Sequence, residues 1–143
     1  MRKDINTIKI LITGDFCPIR TTESLCKEQK FESIYNNFLS VLQDVDIKVT
    51  NLECPLTTSN TPILKLGNNI KASPECIDLF KYGGFDVLTL ANNHILDYGE
   101  NGVEDTLQIC KENEINTVGA GMDITEAAEP LYLNVKARKV AIL

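Results

Sequence analysis

Three short apolar runs, each closed by a polar cluster and separated by helix-like stretches, set the strongest limit on how this chain folds. Ile8 to Thr13 is β-branched and bounded by Gly14, as a buried strand is. Asp46 to Asn51 alternates in polarity and reads as a second strand, and Phe85 to Ala91 as a third. From Phe31, the apolar residues Phe31, Ile34, Phe38, Leu39 and Leu42 share one helical face. Ser73-Pro74-Glu75 supplies an N-cap and a first-turn proline for another helix, which Gly83-Gly84 ends. Gly102 to Asn113 reads as a helix with Val103, Leu107 and Cys110 inward, and Glu114 to Val118 as a fourth strand. This alternation predicts an α/β fold with a mainly parallel sheet and helical crossovers.

The rest is less regular. Thr21 to Lys30 is polar and reads as a loop, and Pro55 to Pro62 as a surface loop rich in turn formers. In Ile63 to Ala72, Gly67-Asn68-Asn69 interrupts the apolar residues, and the pattern leaves strand, helix and loop open. Thr125 to Ala128 suggests one helical turn. Leu131 to Val135 and Val140 to Leu143 read as a hairpin turning at Lys136-Ala137-Arg138-Lys139.

A length of 143 residues suits one domain. The net charge of −6 argues against nucleic acid and anionic membranes as partners, because phosphate contacts need clustered Lys and Arg. Five widely spaced cysteines with no CxxC pair, no signal peptide behind Met1 to Asn6, and no run long enough for a membrane span point to free thiols in a reducing cytoplasm. Cys26, Cys76 and Cys110 read as small buried hydrophobes. The last residues, Val140-Ala141-Ile142-Leu143, are apolar where a terminus is ordinarily polar. This predicts truncation of a longer domain, with an exposed sheet edge through which copies could pair.

In open α/β sheets, ligands bind beyond the carboxyl ends of the strands. There the three runs deliver Gly14-Asp15, Asn51-Leu52-Glu53 and Asn92-Asn93-His94. Asp, Glu, Asn and His at one edge is the makeup of a divalent-metal or acid–base site. His94 is the only histidine. Asp97, three residues on, could fix the imidazole tautomer or cap the following helix. A two-metal hydrolytic site ordinarily uses several histidines, so a complete binuclear centre is not expected from these residues alone.

These residues also carry a family likeness. Gly14-Asp15, Asn51-Leu52-Glu53-Cys54-Pro55-Leu56, Ser73-Pro74-Glu75, the run from Gly84 through Ala91-Asn92-Asn93-His94 to Asp97-Tyr98-Gly99, Val118-Gly119-Ala120-Gly121 and Glu126-Ala127-Ala128-Glu129-Pro130 follow one another as in the CapA family of poly-γ-glutamate capsule synthesis proteins. The resemblance covers nearly the whole chain and implies a calcineurin-like metallophosphoesterase-type α/β sandwich, with residues 1–143 the N-terminal part of one CapA-type domain. It implies Asp15, Glu53 and Asn93 as ligands for Mn²⁺ or Mg²⁺, with His94 as general acid and Asp97 beside it. Cys17 stands where the superfamily's first motif has histidine, and its later histidine motifs have no counterpart here. The function implied is capsule biosynthesis with metal-assisted phosphoester or related hydrolysis. The alternatives are a non-catalytic accessory protein that works with other polyglutamate or envelope synthesis components, and an inactive fragment.

Overall fold

A computed structural model describes residues 7–143, so Met1 to Asn6, used above to judge a signal peptide, lie outside the described residues. Strands β1 (Ile10–Phe16), β2 (Ile47–Leu52), β3 (Val87–Thr89) and β4 (Asn116–Val118) form one sheet in the order β1-β2-β3-β4, and every pair is parallel. Helical segments make the crossovers. They are α1 (Thr21–Lys27), α2 (Phe31–Tyr35) and α3 (Leu39–Leu42) before β2, α4 (Ile77–Gly83) before β3, and α5 (Gly99–Glu112) before β4. A last turn, α6 (Ile124–Ala127), leads to an antiparallel hairpin of β5 (Leu131–Val135) and β6 (Arg138–Ile142). The α/β class and the parallel sheet with helical crossovers are as the sequence predicts. Among the described residues, no helix is long and apolar enough to cross a membrane.

The sheet separates two apolar clusters. On one face Leu52, Leu88 and Leu90 pack with Leu79 and Phe80 of α4, Val103 and Cys110 of α5, and Tyr35 and Leu42 from the first crossover. Leu52, Leu79, Phe80, Leu88 and Leu90 are fully buried, and burying each side chain stabilises the fold by about 1.5–3 kcal/mol. On the other face Ile47, Val49, Val87 and Val118 meet Leu131, Leu133, Val135, Val140 and Ile142 of the hairpin. The layers are therefore helices, parallel sheet and hairpin.

Six local expectations need correction. The first strand is not a buried one ended by Gly14: β1 runs through Gly14 to Phe16 at the edge of the sheet, with Ile10 and Ile12 exposed. The stretch from Pro55 to Pro62 is not all surface loop, since Leu56 and Thr57 are buried and Leu56 bridges to Ala72. Thr21–Lys27 is helix rather than loop. Its side chains are polar because only Cys26 is fully buried, and Glu23 is committed to Lys27 at 3.2 Å and to the Ser73 N–H at 3.0 Å. The single helix expected from Phe31 is broken at Asn36, whose φ of 49° is left-handed, a conformation that Asn tolerates better than most residues. A 3₁₀ turn, Asn36–Phe38, then joins α2 to α3. Ser73-Pro74-Glu75 opens a 3₁₀ turn, Pro74–Cys76, before α4, with no side-chain cap from Ser73. The hairpin turns on Lys136 and Ala137 alone, both at positive φ as a type I′ turn requires, while Arg138 and Lys139 belong to β6.

Two glycines hold the strand ends in place. Gly84 ends α4 at φ 67° and returns its N–H to the Lys81 carbonyl. Gly119 lets the chain after β4 pass the end of β3, where a Cβ would stand 2.8 Å from the Ala91 Cβ.

Candidate functional site

Register brings the polar strand endings together. Asp15 lies opposite Asn51, and Asn51 opposite Thr89. Between Ile12 and Asp15 strand β1 carries a bulge, which leaves an extra residue there and re-aims the strand end, as bulges near functional sites do. The Asn51 amide donates to Asp15 Oδ1 at 2.8 Å, and its carbonyl oxygen accepts from Thr89 Oγ1 and Asn92 Nδ2, each at 3.2 Å. Asn92 Nδ2 also reaches the Leu52 carbonyl at 2.9 Å, while Asn92 Oδ1 accepts the N–H groups of His94 and Ile95, both at 3.0 Å. A continuous polar chain thus runs from Asp15 through Asn51 and Asn92 to the backbone of His94.

The His94 side chain is held from the opposite direction. Its Nδ1 lies 2.7 Å from Asp97 Oδ2, and Asp97 is fully buried. Asp97 Oδ2 also accepts the Ile70 N–H at 2.8 Å, and Asp97 Oδ1 accepts from Lys65 Nζ. Burial alone would raise the Asp97 pKa, but the hydrogen bonds from Lys65, His94 and Ile70 hold it below the ordinary carboxylate value. Asp97 is therefore an ionised acceptor. His94 donates to it through Nδ1–H, which leaves Nε2 as the ring nitrogen available for chemistry. Lys65 Nζ stands 3.3 Å from Nδ1, but both groups are donors in this state, so the bond that orders Lys65 is the one to Asp97.

Of the two roles open to Asp97, the structure shows imidazole contact rather than capping. Tyr98 occupies the N-cap of α5, and the helix starts at Gly99, three residues earlier than the pattern suggested. Asp97 also fastens the long connection between β2 and α4, since the Ile63 N–H donates to its carbonyl at 3.0 Å. Beside Lys65 on that connection, Leu64 and Leu66 are wholly exposed.

The residues expected as metal ligands lie at or just beyond the ends of three neighbouring strands. Asp15 is exposed, Glu53 is half-buried with its N–H bonded to the Phe16 carbonyl at 3.1 Å, and Asn93 is exposed next to His94. Among the described residues, no three His, Cys, Asp or Glu side chains come together as a metal site would require. Asp15, Glu53 and Asn93 do not by themselves make a closed cage for Mn²⁺ or Mg²⁺. Cys17 is half-buried just beyond β1, and interaction with the buried Cys54 thiol holds its pKa below the ordinary thiol value.

Sequence reasoning missed Lys65, and it missed the separate parts played by Asn51 and Asn92. Lys65 sits in an irregular segment with no periodic signal. The asparagines could have been found, because an Asn at corresponding ends of neighbouring parallel strands is placed to bridge them.

The chain also matches known proteins. The family model described as "Bacterial capsule synthesis protein PGA_cap" matches residues 9–143. The chain is 30% identical over 139 residues to the capsule biosynthesis protein CapA of Bacillus anthracis, an alignment covering 95% of this chain and 34% of that protein. It is 28% identical over 132 residues to the PGA biosynthesis protein CapA of Bacillus subtilis (strain 168), covering 91% of this chain and 35% of that one. A Mycobacterium tuberculosis protein named as a probable polyglutamine synthesis accessory protein is 30% identical over 99 residues, which cover 68% of this chain and 26% of the relative. The chain spans about a third of the length of the two Bacillus proteins. With nearly its whole length matched, the chain belongs to the CapA-type family of bacterial capsule synthesis proteins.

Proposed function

We propose that this chain serves poly-γ-glutamate capsule synthesis through a hydrolase-type site at the carboxyl edge of its parallel sheet, with His94 as the proton-transfer group. The observation that carries this reading is the 2.7 Å bond between His94 Nδ1 and a buried, ionised Asp97. A carboxylate in that position fixes the imidazole and keeps Nε2 free to give a proton to a leaving oxygen or take one from water. Asp97 and Lys65 are positioning residues, since both act through the imidazole. Asp15, exposed at the end of β1, would meet a cationic or hydrogen-bonding part of a ligand. A divalent cation held by Asp15, Glu53 and Asn93 would supply positive charge for a phosphoester or related substrate, and it needs further donors to complete its shell.

The test is hydrolysis of a phosphodiester panel with Mn²⁺ by the full-length gene product, compared with its His94→Ala variant. The expected result is a rate loss of about 10²–10⁴-fold, the usual contribution of a positioned acid or base. Equal rates would overturn the role given to His94.

A second reading is an accessory protein that acts by contact with other synthesis components. It draws support from the absence, among the described residues, of three clustered ligating side chains. A melting temperature unmoved by millimolar Mn²⁺ or Mg²⁺ favours this reading. A rise that disappears in Asp15→Ala favours the first, because specific binding to the native state must stabilise it.

A further inference from the structure

The parallel sheet has two outer strands, and they are built differently. β4 offers only Asn116–Val118, whereas β1 offers seven residues and is the longest strand of its sheet. Sheet edges are ordinarily blunted by charge, proline or shortness, because a bare row of N–H and C=O groups pairs with another strand. The run Ile10-Leu11-Ile12-Thr13 has none of these. By contrast β6, at the apolar end of the chain, carries Arg138 and Lys139.

Register shows which groups of β1 have no partner. The Lys9 carbonyl accepts the Ile47 N–H at 3.2 Å, so Lys9 faces β2, and two residues on Leu11 faces it too. The N–H and C=O groups of Ile10 and Ile12 therefore point away from the sheet, where no strand among the described residues pairs with them. Their side chains lie on the hairpin face, beside Ile47 and Val49. The hairpin covers those two, which are 1% and 4% exposed, but stops short of β1: Ile10 is 45% exposed and Ile12 74%. The bulge after Ile12 ends this regular edge.

We propose that two copies of this chain pair antiparallel through β1, about a two-fold axis at Leu11, joining their two sheets into one. That axis sets Ile10 opposite Ile12 of the second copy and Ile12 opposite its Ile10. Both become hydrogen-bonded pairs of an antiparallel ladder, so every outward N–H and C=O of Ile10 and Ile12 finds a partner. The exposed isoleucines of both copies then meet on the hairpin face, where cross-strand apolar pairs stabilise a sheet. Charge agrees with this register, since Lys9 faces Thr13 of the second copy rather than another lysine. An axis at Ile12 would have to pair through the bulge and through Gly14, whose carbonyl already accepts from Thr50 Oγ1 at 3.1 Å. Head-to-tail pairing of β1 on β4 has only three residues to work with, and a closed two-fold contact is the commonest way for identical chains to join.

Sedimentation equilibrium at rising concentration reads the association. The expected mass climbs from that of one chain toward that of two and no further. Ile10→Lys combined with Ile12→Lys sets lysine opposite lysine and should weaken association by about tenfold or more. Ile10→Lys combined with Ile12→Glu sets opposite charges across the same pairs and should restore it, whereas an axis at Ile10 or Ile12 would oppose like charges. Hydrogen exchange on the unaltered chain at low and high concentration decides even if the variants fold poorly. The amides of Ile10 and Ile12 should slow as copies pair, and those of β4 and β6 should not. A single-chain mass at every concentration, a mass that grows past two chains, or protection at β4 or β6 in place of β1 would each overturn the proposal. So would a lysine–lysine variant that associates as tightly as the unaltered chain, or a folded lysine–glutamate variant that associates no more tightly than the lysine–lysine one.

Discussion

Asp15 and Asp97 are carboxylates at the same edge of the sheet, and they are used in opposite ways. Asp97 is fully buried and accepts hydrogen bonds from an imidazole, an ammonium and a backbone amide. Asp15 is exposed and keeps one bond at 2.8 Å, from the Asn51 amide. The difference is one of commitment. A buried carboxylate with every neighbour ordered around it fixes the geometry of another group, here His94. An exposed one held by a single amide can exchange that partner for a ligand. A site built this way separates the residue that positions from the residue that meets substrate.

This contrast breaks most readily at Asp97. The Asp97→Ala substitution strands Lys65, His94 and the Ile70 amide together, and removing one partner of a buried ion pair costs about 3–5 kcal/mol. Urea unfolding monitored by circular dichroism should report a loss of that size. A loss below about 1 kcal/mol, the range of surface pairs, would place Asp97 in the same class as Asp15. Lys65→Met comes next. It leaves Asp97 with two donors in place of three, and a loss of about 1–3 kcal/mol is expected for a charge-assisted bond to a buried acceptor.

Acid gives a third test of the buried carboxylate. The folded-state pKa of Asp97 is held below its ordinary value of 3.8. Its contribution is therefore complete above the unfolded-state value and is lost as the pH falls through the lower folded-state value. The stability of the wild type should converge on that of Asp97→Asn as the pH drops below 3.8. Smallest of all is Asp15→Ala at neutral pH. A change within about 0.5 kcal/mol is expected for an exposed side chain outside the core, and a larger one would mean that the Asn51 bridge is part of the fold's framework.

What the sequence disclosed follows the same division. Strands β2 to β4, α4, α5 and the edge with Asp15, Glu53 and Asn92-Asn93-His94 were readable because burial imposes periodicity and strand ends fall at turn-forming residues, whereas β1 is an exposed edge strand that runs on through Gly14. Thr21–Lys27 was not, because its helix is fastened by Glu23 to the distant Ser73 amide rather than by an apolar stripe. Asn36 broke a helix whose apolar face runs on past it, since one residue at positive φ outweighs the pattern locally. Lys65 was invisible for a related reason. Its partner is 32 residues away, and nothing in a nonperiodic loop announces a contact made by tertiary folding.

The central claim is that Asp97 fixes His94 as the Nδ1–H tautomer with Nε2 free. With one histidine in the chain, long-range proton–nitrogen correlation of the imidazole gives a single, unambiguous set of ring signals. For the neutral imidazole, the account predicts a protonated Nδ1 and an unprotonated Nε2, with that preference lost in Asp97→Asn. A proton on Nε2 in the wild type, or a tautomer unchanged by the substitution, would contradict it.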